Sequence, residues 1–417
     1  MSRMLWYEWK RIWQSRLTQL AVIGCGIFLV FCVWSSIVQM TAVDMNGNQV
    51  SGMQAAEVLQ DTQERITLDQ ETVNKLLEEY ISYTEDPQTR SDDPDLCYLS
   101  EEMYRTWYLP RQELFRIIGG IYIKPENVQE SVGDTLQKSV GVHFYDARSE
   151  RLMERLTTLY QNGTITAEEA DWWVEKDASV DEYIFGYSKA WQQILTTGSW
   201  IVLIMVIVCV GIAPVFAGEY QSKCDSLLLS MRFGKNRLIL AKLVSSFLYT
   251  SVVYWGITLL YSAVYLMLLG TRGWDLPIQI NYPSVSVSYD LNMMQACGLV
   301  LLLGYLFTLG MAGITLLLSA LLKNSYSVII IVFLLLLIPT FLSLDAGNYL
   351  WKHMLALLPA KIADFSFTSY LAYRAGSLTV AWPEMAMTVN GIVVFPKQKD
   401  IKKQPMFTCL QTKEYCY

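Results

Sequence analysis

AWQQILTTGSWIVLIMVIVCVGIAPVFAG, residues 190–218, runs for 29 positions between Lys189 and Glu219 without a charged side chain. At 1.5 Å per helical residue, about 20 such residues cross the hydrocarbon core of a bilayer. Lipid offers the backbone no hydrogen bonds, so a run of this kind must close its own as a helix. Four more charge-free runs follow the same rule: 17–43 (27 residues), 243–271 (29), 291–322 (32) and 324–344 (21). A single run also fits a buried core helix, but five in one chain do not. The 417-residue chain is 53% hydrophobic and only 17% charged, against about 25% in soluble domains. A disordered chain is excluded. A net charge of −7 also excludes a basic nucleic-acid binder.

Orientation follows from the charges beside the runs. Arg3, Lys10, Arg11 and Arg16 precede the first run, which places the N-terminus in the cytoplasm. Lys397, Lys399, Lys402, Lys403 and Lys413 dominate the tail and favour the same side. An even number of crossings is therefore expected, and 377–396 supplies a weaker sixth, interrupted by Pro383, Glu384 and Asn390. The fold class is mainly α: a polytopic membrane protein with six transmembrane helices, five clear and the sixth weak. The expected spans are 17–38, 195–217, 243–269, 293–322, 325–344 and 377–396. The first run is too long for the apolar region of a signal peptide, and no small-residue cleavage site follows it. Residues 1–16 form an amphipathic helix with Leu5, Trp6, Trp9, Ile12 and Trp13 on one face. Glu8, Arg11, Gln14 and Ser15 lie opposite. Trp6, Trp9 and Trp13 suit the headgroup layer, although a plain extension of the first span fits the same pattern.

Residues 39–194 hold 13 Lys+Arg against 29 Asp+Glu, a net of −16, and are expected to form a mostly helical extracellular domain. Apolar residues from Ala55 to Tyr83 and from Ser149 to Tyr160 recur at helical spacing. Asn162-Gly163 stops the latter helix, and Thr166-x-x-Glu169 is a capping-box pattern that opens the next. Asn162-Gly163-Thr164 also satisfies a glycosylation sequon, but it reads better as a turn. The remaining segments are a cytoplasmic stretch at 218–242, an extracellular loop at 270–292, an extracellular or membrane-dipping segment at 345–376, and a cytoplasmic tail at 397–417. Of the eight cysteines only Cys97 is clearly external, so no disulfide framework is expected, and a packed free thiol is the favoured state.

The chain carries no phosphate-binding G-x-x-x-x-G-K-[ST] loop, no H-E-x-x-H and no G-x-S-x-G. No catalytic residue, cofactor site or metal site is assigned. Glu384 is a possible intramembrane charge, and an interfacial position reaching water explains it as well. Glu219 follows Pro214 and Gly218 at the inner end of the second span. The stretch beyond it, GEYQSKCDSLLLSMRFGKNRLILAKL (residues 218–243), places Cys224, Leu227, Leu228 and Met231 on one helical face. Asp225, Ser226 and Arg232 flank that face, and Gly234 ends the helix. Such a helix fits a groove in a partner protein or the lipid headgroups.

This stretch resembles the inter-span signature of ABC-2-type permeases, the membrane subunits of type V ABC exporters. That pattern runs from a Glu leaving the second span, through a small hydroxyl residue and a Leu-Leu pair, to a basic residue and a Lys entering the third span. Glu219, Ser226, Leu228-Leu229, Ser230, Arg237 and Lys242 occupy those places. Many members have a proline after the leucines, where this chain has Met231-Arg232-Phe233-Gly234. The acidic domain looks like the insert that some Gram-positive members carry, and the longer tail departs from the family.

The resemblance implies a multi-pass subunit of a bacterial plasma membrane that exports a peptide, drug or lipid-like substrate. ATP and Mg would bind a separate ABC ATPase subunit docked under Glu219, Ser226, Leu227, Leu228, Met231, Arg232, Arg237 and Lys242. A second permease subunit, identical or not, would complete the working unit within membrane lipid. The chain itself would not be an enzyme. A membrane receptor or assembly scaffold acting through its extracellular domain is the alternative reading.

Overall fold

A computed structural model describes residues 2–123, 131–180, 182–223, 237–283, 285–342, 349–375 and 378–394. The chain is mainly helical, with three two-stranded antiparallel sheets among the described residues. Four helices are long and apolar enough to cross a membrane: Arg16–Val38, Trp200–Gln221, Ile239–Leu269 and Met293–Leu321. The fifth apolar helix, Ser325–Thr340, is shorter at 16 residues. Asn324 caps it by accepting a hydrogen bond from the Tyr326 amide, so the Lys323-Asn324 turn starts this helix as the sequence suggests.

The last helix differs from the expected sixth span. It covers Trp382–Val394, 13 residues, and the strand Leu378–Ala381 occupies the positions just before it. That strand pairs with Ala372–Ala375. Pro383 therefore does not interrupt a helix; it sits in the first turn, where its missing N–H costs nothing. Glu384 lies in the first turn of this helix. Its Oε2 accepts from the Ala381 amide at 2.5 Å, its Oε1 lies 3.9 Å from Lys176 Nζ, and its side chain is half exposed. A carboxylate there caps the helix and meets its positive end. The cytoplasmic tail assigned to 397–417 lies outside the described residues.

The second apolar run is not one straight rod. Lys189–Leu195 forms a separate short helix, Gly198–Ile212 follows, and Pro214–Gln221 completes the run. Ser319 of the fourth helix repairs the backbone around Pro214. Its hydroxyl accepts from the Phe216 and Ala217 amides at 3.1 and 3.0 Å and donates to the Ala213 carbonyl at 2.6 Å. These groups would otherwise be buried without partners.

Residues 39–194 contribute to three cores. Leu77, Tyr80, Trp107, Phe115 and Phe144 share one with Leu276, Ile280 and Met293, and Ala56, Ala190 and Ile194 join Cys25, Tyr261 and Cys297 in another. Leu152, Leu156, Leu159, Ile165 and Trp173 instead join the core of the apolar helices. Trp173 is fully buried and donates from Nε1 to the Tyr370 carbonyl at 3.0 Å. The Thr166/Glu169 capping box forms, and Asn162 with Gly163 (φ +66°) ends Phe144–Gln161. The continuous pattern from Ala55 to Tyr83 is broken: Met53–Thr62 stops, Ile66–Thr67 is a strand, and Asp69 caps Gln70–Glu85 through the Thr72 amide. Cys97 is buried and free. Arg148 is buried and holds Asp177 with two bonds of 2.7 and 2.6 Å and the Tyr183 hydroxyl with a third. Burial works against its charge, but Tyr183 and Asp177 outweigh it and push its pKa up.

Gly304 sits at a tight contact between apolar helices. A Cβ there would come within 2.2 Å of Ile201 Cδ1 and 2.5 Å of the Tyr254 hydroxyl, which is held by the Leu301 carbonyl. Gly313 on the same helix faces open space. Overpacking of a filled core costs about 1–3 kcal/mol. Gly304→Ala should lower the thermal midpoint of the purified protein by several degrees, whereas Gly313→Ala should leave it unchanged or raise it; differential scanning fluorimetry measures both.

Candidate coupling site

The last segment of the second apolar helix, Pro214–Gln221, carries Glu219, and Lys242 lies in the first turn of Ile239–Leu269. Lys242 Nζ lies 2.6 Å from Glu219 Oε1 and 2.9 Å from Glu8 Oε2, and it also donates to the Val215 carbonyl at 3.3 Å. Arg11 closes the set: its Nη1 donates to Glu219 Oε1 at 2.9 Å and lies 3.7 Å from Glu8. Two carboxylates and two cations thus form a neutral ring.

Burial grades around the ring. The Lys242 side chain is 1% exposed, Glu8 6%, Glu219 11% and Arg11 39%. Lys242 also lies over the Phe216 ring, 5.8 Å from its centre. Inside such a site each charge depends on its partners. A buried pair adds little net stability, yet removing one member is costly because the other stays buried and uncompensated. The ring therefore works as a registration device that joins the N-terminal helix, Ser2–Gln14, to two apolar helices. A cavity of about 280 Å³ beside it is lined by Glu8, Arg11, Ile12, Pro214 and Val215 among others.

The N-terminal helix turns a different face inward from the one its tryptophans suggest. Glu8 and Ile12 are its buried residues, and Trp6 is 64% exposed. Trp13 packs edge-on against Tyr249 with centres 5.2 Å apart, and Trp9 packs on Trp13. The inward face runs between the apolar and polar halves of the wheel, because Lys242 draws Glu8 into the contact. The helix is thus docked on protein along Glu8, Ile12 and Trp13, and only Trp6 stands free for a headgroup layer.

A family model described as ABC-2 family transporter protein matches residues 9–395. The chain belongs to this family. No curated protein and no solved structure matches it. As an ABC-2 family membrane transporter it serves as a permease subunit of an ABC transporter. Of the residues assigned to coupling in this permease, the structure brings Glu219 and Lys242 together. Arg237 is exposed. Ser226, Leu227, Leu228, Met231 and Arg232 lie outside the described residues.

Sequence reading missed Glu8, Arg11 and Ser319 as site residues. A carboxylate on a helix that also carries three tryptophans was the available signal for Glu8. Its partner stands 234 positions away. Nothing local marks Ser319. Gln221 is a further unforeseen tie, donating to Asn324 Oδ1 at 2.7 Å and accepting from the Ser325 hydroxyl at 3.0 Å.

The graded burial predicts graded costs. Lys242→Met leaves two buried carboxylates facing Arg11 alone and should destabilise the protein by about 3–5 kcal/mol. Arg11→Met, at the exposed edge, should cost about 1 kcal/mol or less. Denaturation of the detergent-solubilised variants measures the order, and equal losses would contradict a ring centred on Lys242.

Proposed function

We propose that this permease works in an ATP-driven exporter and that the Glu8–Arg11–Glu219–Lys242 ring carries motion from a separate ATPase subunit into the apolar helices. The carrying observation is where the chain leaves and returns. The described chain stops at Lys223, four residues past Glu219, and resumes at Arg237, five residues before Lys242, so both ends of the intervening stretch lie close in sequence to one ionic point. A push on that stretch acts on the second and third apolar helices together. Through Glu8 it also moves the N-terminal helix.

The chemistry divides between two chains in this reading. The partner binds ATP and Mg and hydrolyses the nucleotide, while this chain supplies the path. A second permease subunit faces the first across the membrane, and a peptide, drug or lipid-like substrate passes outward between them. The 218–242 stretch is the coupling segment, with Leu227, Leu228 and Met231 seated in the ATPase and Ser226, Arg232 and Arg237 setting its register. The N-terminus is cytoplasmic, and residues 39–194 lie outside the cell.

A neutral ring is suited to switching. Exchange of one ion-pair partner for another costs less than exposing a bare charge, so the helices can slide between two paired arrangements. Lys242 already faces two carboxylates, which provides the alternatives.

The proposal predicts separable defects. Glu219→Gln should leave ATPase co-purification intact but cut transport per ATP hydrolysed at least tenfold in proteoliposomes. Leu228→Pro should abolish co-purification. Full transport with Glu219→Gln would overturn the ring's role, and normal co-purification with Leu228→Pro would overturn the coupling segment.

A further inference from the structure

At the far end of the apolar helices from the ionic ring, one cavity gathers positive charge. It measures about 520 Å³ and is lined by Arg155, Lys352 and Lys361, by Ser366, Thr368 and Ser369, and by the carboxylate of Asp364. Thr340, Phe341 and Leu342 at the end of the fifth apolar helix form its floor. Of these charges Lys361 pairs with Asp364, while Arg155 brings a cation to the rim.

Lys361 is the built part of the site. Its side chain is 2% exposed, and its ammonium donates to the Leu342 carbonyl at 2.5 Å and to Asp364 Oδ2 at 2.6 Å. An ammonium has three donors, so one is left for a guest. Arg155 lies on the helix Phe144–Gln161, is exposed, and makes no ion pair among the described residues. Its planar fork matches phosphate oxygens. Ser366, Thr368 and Ser369 add hydroxyl groups to the same wall.

The surface next to the cavity is apolar. The helix Tyr349–Ala356 buries its polar residues Lys352 and His353 and turns Leu350 and Met354, each 68% exposed, outward with Trp351. Phe341, 79% exposed, continues that surface from the fifth apolar helix. A helix with polar residues inside and apolar residues outside suits a bilayer and not water.

We propose that this cavity seats the phosphate headgroup of an anionic phospholipid from the leaflet on the side of residues 39–194. The acyl chains lie along Phe341, Leu350, Trp351 and Met354. Arg155 and the open donor of Lys361 hold the phosphate oxygens, and the serine and threonine hydroxyls complete the shell. A volume of 520 Å³ admits a headgroup and not a whole lipid, so the chains stay in the bilayer. Through Arg155 the lipid ties the acidic insert to the membrane surface.

Native mass spectrometry of the full-length protein, released from nanodiscs of phosphatidylcholine with one-tenth phosphatidylglycerol, tests the site. Wild type should retain phosphatidylglycerol in preference to phosphatidylcholine. Arg155→Ala should lower that retention at least fivefold, and Met354→Asp should lower it by disturbing the acyl path. Arg90→Ala, on the insert away from the cavity, should match wild type. Lys361→Met tests the buried donor where the variant folds, while the exposed Arg155 carries the test alone. Undiminished retention with Arg155→Ala, equal retention of the two lipids, or full displacement of phosphatidylglycerol by millimolar inorganic phosphate would each overturn the proposal. The last outcome would assign the cavity to soluble phosphate.

Discussion

A lysine ammonium that is 1% exposed cannot remain charged in an apolar surrounding without partners. Lys242 meets this demand with Glu8 and Glu219, and the demand propagates through the structure. It draws the N-terminal helix against the ends of the second and third apolar helices. It requires the second apolar helix to end close to where the third begins. Around Pro214, Ser319 on the fourth helix satisfies the Ala213 carbonyl and the Phe216 and Ala217 amides. Four separate segments therefore converge on one ionic point.

The opposite end of the molecule is organised by apolar contact. One part of the acidic insert packs around Phe115 and Phe144 together with Leu276, Ile280 and Met293, while another packs Leu152, Leu156 and Trp173 into the core of the apolar helices. Trp173 donates to Tyr370, and Lys176 lies over the Trp172, Trp173 and Tyr289 rings close to Glu384. Burial holds the Lys176 pKa below its usual value, partly offset by Glu384. The insert is thus joined to the start of the last helix, and a movement of the apolar helices reaches it through direct packing.

Local signals were read well where the partner is close in sequence. The capping box at Thr166 and Glu169, the stop at Asn162-Gly163 and the start at Asn324 each depend on groups within four residues. The Asp69 cap was equally local, yet the apolar periodicity from Ala55 to Tyr83 masked it. The last helix was misplaced for a related reason. Leu378–Ala381 is apolar enough to continue a span, but its hydrogen bonds go to Ala372–Ala375 across a hairpin. Composition does not distinguish a strand from a helix over four residues.

Sequence alone determined that this is a membrane chain, because charge-free runs of 21–32 residues have one physical solution in lipid. It also marked Glu219 and Lys242 as members of one cytoplasmic signature. Tertiary structure decided which charges share a site. Glu8 stands 234 positions from Lys242, Ser319 stands 103 from Phe216, and Arg155 and Lys361 line one cavity from separate helices. Pairings of that kind arise only when helices pack, since the cost that selects them is the burial of a charge, and burial does not exist until the chain has folded.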